Sequence, residues 1–326
     1  MALQRRRFLG LAASAAVLPA VSRIAWAQSY PTRPITMIAP FPAGGDVDVV
    51  GRVVGEGMKK ALGQTIIIEN ISGADGTIGL GRAARARPDG YTVDVGNMNT
   101  HALNGALYSL PYDVLQDFAP VCPLVTNWYV LFARATAPAK GLRELIGWLQ
   151  ANPGRASAGL TSASMHVLTV LFQRETGTQF ILVPYRGGAP AVQDLMAGQI
   201  DLAFGTPAQL SLARAGSLKA YAVTSDKRLA LAPDIPTFAE IGLPALSYSS
   251  WYGIFSPKGT SREIINKLNT AAIDALADPA VRSRLAELGF EIFPREEQTP
   301  EMLGAMVKAA ADKWWPIIKE VGIKAQ

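Results

Sequence analysis

The stretch Ile35-Thr36-Met37-Ile38-Ala39-Pro40-Phe41-Pro42-Ala43-Gly44-Gly45-Asp46-Val47-Asp48 passes from an apolar run through a loop of proline and glycine into a segment of helical character. Beyond it Val49, Val50, Val53, Val54, Met58 and Leu62 recur on one face of a helix. Strand, short loop and helix in this order form the first half of a parallel α/β unit. Glycines in such a loop permit close backbone approach, and the unpaired N–H groups that open the helix point back at it, which favours an anion. A tight turn capped by Asp46 or Asp48 has the same spacing, so spacing alone leaves both readings open. The loop has neither GxGxxG nor the GK[ST] ending of a phosphate loop, which argues against a nucleotide.

Outward from this stretch the alternation continues. Ile66-Ile67-Ile68 reads as the next strand, residues 92–95 as another, and Leu103 and Leu107 fall in a helix. A second α/β set begins at Trp128-Tyr129-Val130-Leu131-Phe132, followed by a helix with Leu142, Leu145, Ile146 and Leu149 that the Asn152-Pro153-Gly154 turn ends. Further helices carry Leu168, Leu171 and Phe172, then Val192, Leu195 and Met196, with strands near residues 180–183, 200–204 and 219–223. The tail reads as helical: Thr260 and Glu263 fit a capping box, and Thr299-Pro300-Glu301 opens a last helix in which Trp314 and Trp315 are expected to pack.

The first residues speak to compartment. Arg5, Arg6 and Arg7 precede an apolar run over residues 8–21, and Ala25-Trp26-Ala27 stands before Gln28, the pattern of a cleavable export signal. Arg5-Arg6-Arg7-Phe8-Leu9 also fits the twin-arginine pattern. The apolar run is shorter than the roughly 20 residues of a membrane-spanning helix. A soluble periplasmic protein starting at residue 28 is therefore expected. Four of the positive charges behind the formal +5 (Arg5, Arg6, Arg7 and Arg23) lie in the leader, and without them the charge is +1. That argues against a nucleic-acid or membrane-surface partner. The single cysteine, Cys122, reads as a buried structural thiol.

Pro40-Phe41-Pro42-Ala43-Gly44-Gly45, Glu69-Asn70, Pro88-Asp89-Gly90-Tyr91-Thr92, Val183-Pro184-Tyr185-Arg186-Gly187, Asp201-Leu202-Ala203-Phe204, Ala222-Val223-Thr224-Ser225, Pro233-Asp234-Ile235-Pro236-Thr237 and Trp251-Tyr252-Gly253 follow one another in this order. The set resembles the signatures of the Bug family, receptors of tripartite tricarboxylate transporters, over almost all of the chain beyond the leader. The resemblance implies a type II-like periplasmic binding protein, each lobe a mainly parallel sheet flanked by helices, with a ligand cleft between the lobes. Residues 28–125 and 247–326 would form lobe 1 and residues 126–246 lobe 2, with crossings near 118–134 and 245–256. It also implies a small carboxylate ligand (a di- or tricarboxylate, an acidic amino acid or an aromatic carboxylate), small and large membrane subunits as partners, a monomer, and no cofactor or metal.

In such receptors the Pro-Phe-x-Ala-Gly-Gly loop holds a ligand carboxylate through backbone and ordered water, which nominates Phe41, Ala43, Gly44, Gly45 and Asp48 here. On that view Gly45→Val should harm binding more than Arg186→Ala. Other walls of an open α/β site come from strand-to-helix loops. These nominate Asn97, Asn99, Thr100 and His101 in lobe 1, and Ser162, Ser164, His166, Tyr185, Gly187, Gly188, Phe204 and Thr206 in lobe 2. Helix capping and turn closure are the competing roles for the serines and threonines among them. Two departures from the family pattern stand out. The stretch from Gly159 to His166 is one residue longer, with Thr161 where glycine is usual, and Asp46 puts an acid beside the anion loop, where it is expected to cap the helix.

Catalysis has little support: there is no G-x-S-x-G elbow, no S-x-x-K pair and no H-E-x-x-H, and His101 and His166 are the only histidines. A receptor reporting to a membrane sensor is the remaining alternative to a transport receptor.

Overall fold

The computed structural model describes residues 30–185 and 187–323; the expected leader and Arg186 lie outside them. The first strand, β1 (Ile35–Ala39), is buried along almost its whole length. It leads into α1 (Asp46–Leu62), whose Val47, Val50, Val54, Met58 and Leu62 form the stripe that packs inward. Gly63 ends this helix at φ 65°, its N–H reaching Lys59 O, a conformation that costs glycine nothing. β2 (Ile66–Asn70), α2 (Thr77–Ala84), β3 (Thr92–Asn97) and α3 (Asn104–Leu107) follow, and the long β4 (Phe118–Trp128) then carries the chain out of the first sheet.

Only Tyr129 separates β4 from β5 (Val130–Arg134), the first strand of the second sheet. That lobe continues through α4 (Leu142–Ala151), β6 (Ser157–Leu160), α5 (Ala163–Thr176), β7 (Ile181–Pro184), α6 (Gly188–Ala197), β8 (Leu202–Gly205), α7 (Leu210–Arg214) and β9 (Leu218–Val223). The chain returns by β10 (Ser249–Pro257) and ends in α8 (Arg262–Ala277), α9 (Pro279–Glu287), β11 (Glu291–Ile292) and α10 (Pro300–Val321).

The strand orders are β11-β4-β10-β3-β1-β2 and β7-β6-β8-β5-β9. The expectation of mainly parallel sheets needs correction. β1 pairs parallel with β2 and β3, but β10 runs antiparallel to β3 and β4, and β11 to β4. In the second sheet β6 is parallel to β7 and β8, while β5 is antiparallel to β8 and β9. Both sheets are mixed because the chain leaves and re-enters through their middles, and a returning strand beside an outgoing one must run the other way.

Thr224 ties the two crossings together. Its hydroxyl accepts from Tyr129 N–H at 2.9 Å and donates to Tyr248 O at 2.6 Å, and its backbone bonds both residues at 2.9 Å. One apolar core lies between α1, α8 and the first sheet, another runs between the lobes to α10, and a third fills the outer face of the second sheet. Trp314 is buried with its ring 5.1 Å from that of Tyr248, and Trp315 Nε1 donates to Ala102 O at 2.9 Å, so both serve packing. Thr299 caps α10 by accepting from Met302 N–H at 3.1 Å. At α8 the cap is Ser261 rather than Thr260, which bonds Pro257 O at 2.8 Å instead. Cys122 is buried, and burial pushes its thiol up to about 12. No helix among the described residues is long and apolar enough to cross a membrane.

Candidate functional site

A cavity of about 700 Å³ opens between the lobes. Its lobe 1 wall is Phe41 and Pro42 from the loop after β1, residues 72–76 from the turn after β2, and Leu107 and Tyr108 at the end of α3. Its lobe 2 wall is Leu160, Thr161, Ser162, Ala163 and His166 around the start of α5, with Pro184, Tyr185 and Gly187 after β7. These walls stand where parallel strands end and helices begin, the usual place for ligands in open α/β sheets.

The loop after β1 is held from beneath by Asp48. This carboxylate, 2 % exposed, accepts from Gly44 N–H at 2.8 Å, Arg52 Nε at 3.0 Å and Asn70 Nδ2 at 2.8 Å, and Arg52 Nη2 lies 2.9 Å from its second oxygen. Asn70 also donates to Phe41 O at 3.1 Å. Burial pushes the Asp48 carboxyl up, but the bonds from Arg52, Gly44 and Asn70 outweigh it and hold the group below the usual carboxylate range. Asp48 therefore braces the loop and does not line the cavity.

Asp46, expected to cap α1, does not. The capping position is Gly45, no side chain caps there, and the Asp46 carboxylate accepts from Tyr252 Oη at 3.4 Å. Burial raises its pKa, partly offset by that bond. Ala43, Gly44 and Gly45 are exposed and not among the lining residues. Gly44 N–H is spent on Asp48 and Gly45 N–H on Pro42 O at 3.3 Å. The conformational need for glycine falls at Gly44, φ 83°, whereas Gly45, φ −78°, would accept a side chain with Pro42 O at 3.4 Å as its nearest neighbour.

The polar loop after β3 is turned inward: Asn97, Asn99, Thr100 and His101 are all buried and none lines the cavity. Asn97 and Thr100 bond each other, Asn97 N–H to Thr100 Oγ1 at 3.0 Å and Thr100 N–H to Asn97 Oδ1 at 3.2 Å. Asn99 crosses the lobes instead, its Oδ1 accepting from Ser164 N–H at 3.1 Å and from the Ser164 hydroxyl, which in turn accepts from Tyr248 Oη at 2.6 Å. Ser164 thus lies behind the wall, while Ser162 lines it and caps α5 through Met165 N–H at 3.4 Å.

His166 lines the cavity, and burial lowers its pKa, which keeps it neutral. Tyr185 lines it too, with its hydroxyl turned to Asp194 Oδ2 at 2.7 Å, and Gly187 does so at φ 106°. Gly188, Phe204 and Thr206 border a separate small pocket of about 60 Å³ against β5 and α6. Phe204 is core there, 6.0 Å from Phe238, and Thr206 bonds Gln209 Oε1 at 3.3 Å.

His101 stacks on Phe255 at 3.7 Å, with its Nε2 3.3 Å from Asp94 Oδ1 and both groups wholly enclosed. Burial raises Asp94 well above its ordinary 3.8 and drives His101 down from 6.5 to about 3. A carboxyl raised in the folded state makes stability fall as the pH climbs from 3.8, whereas a lowered imidazole makes stability rise with pH from about 3 to 6.5, so the two effects oppose each other in that range. Asp94→Asn is expected to remove the falling contribution, so that stability rises more steeply with pH between about 4 and 6.5 in thermal melts, by up to about 1.4 kcal/mol per pH unit. An unchanged pH profile would mean that burial does not raise Asp94.

The turn at residues 72–76 was missed by sequence reasoning. Its signal was a strand, Ile66–Asn70, followed by Gly73 and Gly76 just before a helix, the same pattern that singled out Gly44 and Gly45. Asp75 brings a carboxylate into the cleft, with Oδ2 accepting from Ala163 N–H at 3.1 Å across the lobes. Burial pushes it up to about 6, against that bond. Among the described residues, no group of three or more His, Cys, Asp or Glu is placed to hold a metal ion.

Comparison with known proteins agrees with this architecture. BugT of Bordetella pertussis is 35% identical over 303 residues, covering 91% of this chain and 92% of that protein. MatC from Rhodopseudomonas palustris, solved with bound malate, superposes with a TM-score of 0.82 at 34% identity, over 89% of this chain and 100% of MatC. R. palustris Rpa4515 with adipate gives 0.83 at 31%, over 90% and 99%. The model of the tripartite tricarboxylate transporter family receptor matches residues 50–323, and with the two mixed sheets and the cleft between them it shows that the chain belongs to this family of Bug-type receptors.

Proposed function

We propose that the protein captures a small organic carboxylate between its lobes, in the periplasm, and presents it to the small and large membrane subunits of a tripartite transporter without altering it. The observation that carries this reading is the interlobe cavity of about 700 Å³, within the ~300–1,000 Å³ common for small-molecule sites. Receptors similar to this chain have been solved with malate and with adipate. Phe41, Ser162, His166, Tyr185 and Gly187 would face the ligand, joined by Asp75, Tyr108 and Thr161. Contacts to the carboxylate would come from backbone groups and water, which can be enthalpically close to direct bonds. A catalytic role for His101 is disfavoured by its enclosure in the wall of lobe 1, away from the cavity.

Protein recovered from the periplasm, with an intact mass that starts at Gln28, should show thermal stabilisation by at least one carboxylate among dicarboxylates, tricarboxylates, amino acids and aromatic acids. At 100 times Kd the gain is about 2.7 kcal/mol. Retention of residues 1–27 after export would sink the assignment to the periplasm, and no shift with any of these acids would sink carboxylate capture.

A further inference from the structure

Among the described residues that line the cleft, Asp75 is the only acid. Its position is imposed by an unusual turn. Ala74 and Asp75 both adopt left-handed backbone, φ 45° and 50°, which is uncommon for residues other than glycine and marks a conformation that its surroundings enforce. Asn104, wholly buried, donates its amide to Asp75 O at 2.9 Å, and Gly76 N–H closes the turn on Gly73 O at 3.0 Å. Behind it Gly76 lies so close to the neighbouring loop that a Cβ there would meet Phe41 Cζ and Pro40 Cβ at 3.3 Å and Thr100 Cγ2 at 2.8 Å. The turn is thus wedged between the loop after β1 and the buried Asn97–His101 segment, and the Asp75 carboxylate is turned to the cleft.

There Oδ2 takes the amide of Ala163 at the start of α5, so this anion-favouring helix end is already filled by the protein's own acid. Oδ1 has no hydrogen bond from the described residues and is left to the cleft. With its pKa at about 6 the group is mostly ionised at neutral pH, and its charge helps to raise the phenol of Tyr108 after burial. A fixed negative charge in a partly desolvated cleft repels a ligand that offers only carboxylates and attracts one that also offers a cation.

We propose that Asp75 makes the cleft selective for carboxylates that also bear an ammonium group, its Oδ1 accepting from the ligand's N–H while the ligand carboxylate lies on the far side, toward the Phe41 loop. This rests on the reading of the protein as a carboxylate receptor.

The test is calorimetry on the full exported protein with three pairs that differ only in the ammonium: L-aspartate and succinate, L-glutamate and glutarate, L-phenylalanine and 3-phenylpropionate. In whichever pair binds, the ammonium member should bind roughly 10- to 100-fold more tightly, the range of one charge-assisted hydrogen bond. Asp75→Asn keeps a side chain that tolerates left-handed backbone, and circular dichroism checks its fold. It should erase that preference, so that the two members of a pair bind alike. A wild-type preference for plain acids, or an equal loss for both members in Asp75→Asn, would overturn the assignment and leave Asp75 as a latch between lobes. Binding of none of the six would overturn this assignment, whereas carboxylate capture falls only if the wider set of acids named above also gives no thermal shift.

Discussion

Gly96→Ala is expected to lower the melting temperature of the protein by at least about 6 °C and to reduce its soluble yield. Gly96 lies in β3, interior to the six-stranded sheet, opposite Gly253 of β10. A Cβ at position 96 would stand 2.1 Å from His101 Nδ1 and 2.2 Å from its Cε1. The ring has nowhere to go. It is stacked on Phe255 at 3.7 Å, meets Phe118 edge-on at 4.8 Å, and its Nδ1 is 3.0 Å from Thr100 Oγ1. Overpacking a dense interior typically costs ~1–3 kcal/mol, and a contact this short against an enclosed ring belongs at the upper end of that range. A loss of about 3 kcal/mol corresponds to about 6 °C or more at roughly 2–4 °C per kcal/mol for a lobe of this size. Differential scanning calorimetry measures it. His101→Ala in the same chain should restore part of the loss, because the methyl then has room. A melting point within about 2 °C of wild type would show that His101 does not fill this space.

Asp48→Ala is the substitution expected to damage the site most. Gly44 N–H, Arg52 and Asn70 all donate to one enclosed carboxylate, so its removal orphans three partners at once. A buried donor left without its acceptor costs ~1–3 kcal/mol, reduced for Arg52, half of whose side chain meets solvent, and for the exposed Gly44. We expect about 2–4 kcal/mol of lost stability. Ligand affinity should fall about tenfold or more, since the loop that presents Phe41 would have to be ordered on binding. Asp48→Asn retains an acceptor oxygen and should lie between. Because the Asp48 carboxyl titrates below its ordinary 3.8, the contribution is fully present above that pH and is lost as the pH falls further. Thermal melts and calorimetry on both variants decide the matter. Unchanged affinity and melting in Asp48→Ala would mean that the loop is held by something else.

The order of elements was legible because each strand and helix writes its own period. β1 coincides with the apolar run at residues 35–39, α1 shows its stripe of valines, and Thr299-Pro300 opens α10 as capping chemistry requires. The ordered family signatures carried the two lobes and the family. Strand direction was not legible: nothing local in β10 states that it returns beside β4, and this long-range pairing makes both sheets mixed.

The same division runs through the site. The local sequence determined that a glycine loop, a serine-rich turn and a tyrosine after β7 lie at strand ends, and the structure brings Phe41, Ser162, His166 and Tyr185 around one cavity. Which polar side chains face that cavity was decided only in three dimensions. Asn97, Asn99, Thr100 and His101 turn inward because Gly96 leaves room for the His101 ring and Ser164 supplies donors for Asn99 from the other lobe. Asp48 rather than Asp46 braces the loop because Asn70 and Arg52 converge beneath it. Asp75 enters the cleft because Asn104 and the packed Pro40 and Phe41 hold its turn in a left-handed form. Sequence periodicity reports which face of an element avoids water, whereas the partner of a buried polar group is chosen by contacts between residues far apart in the chain, and those exist only once the lobes are built.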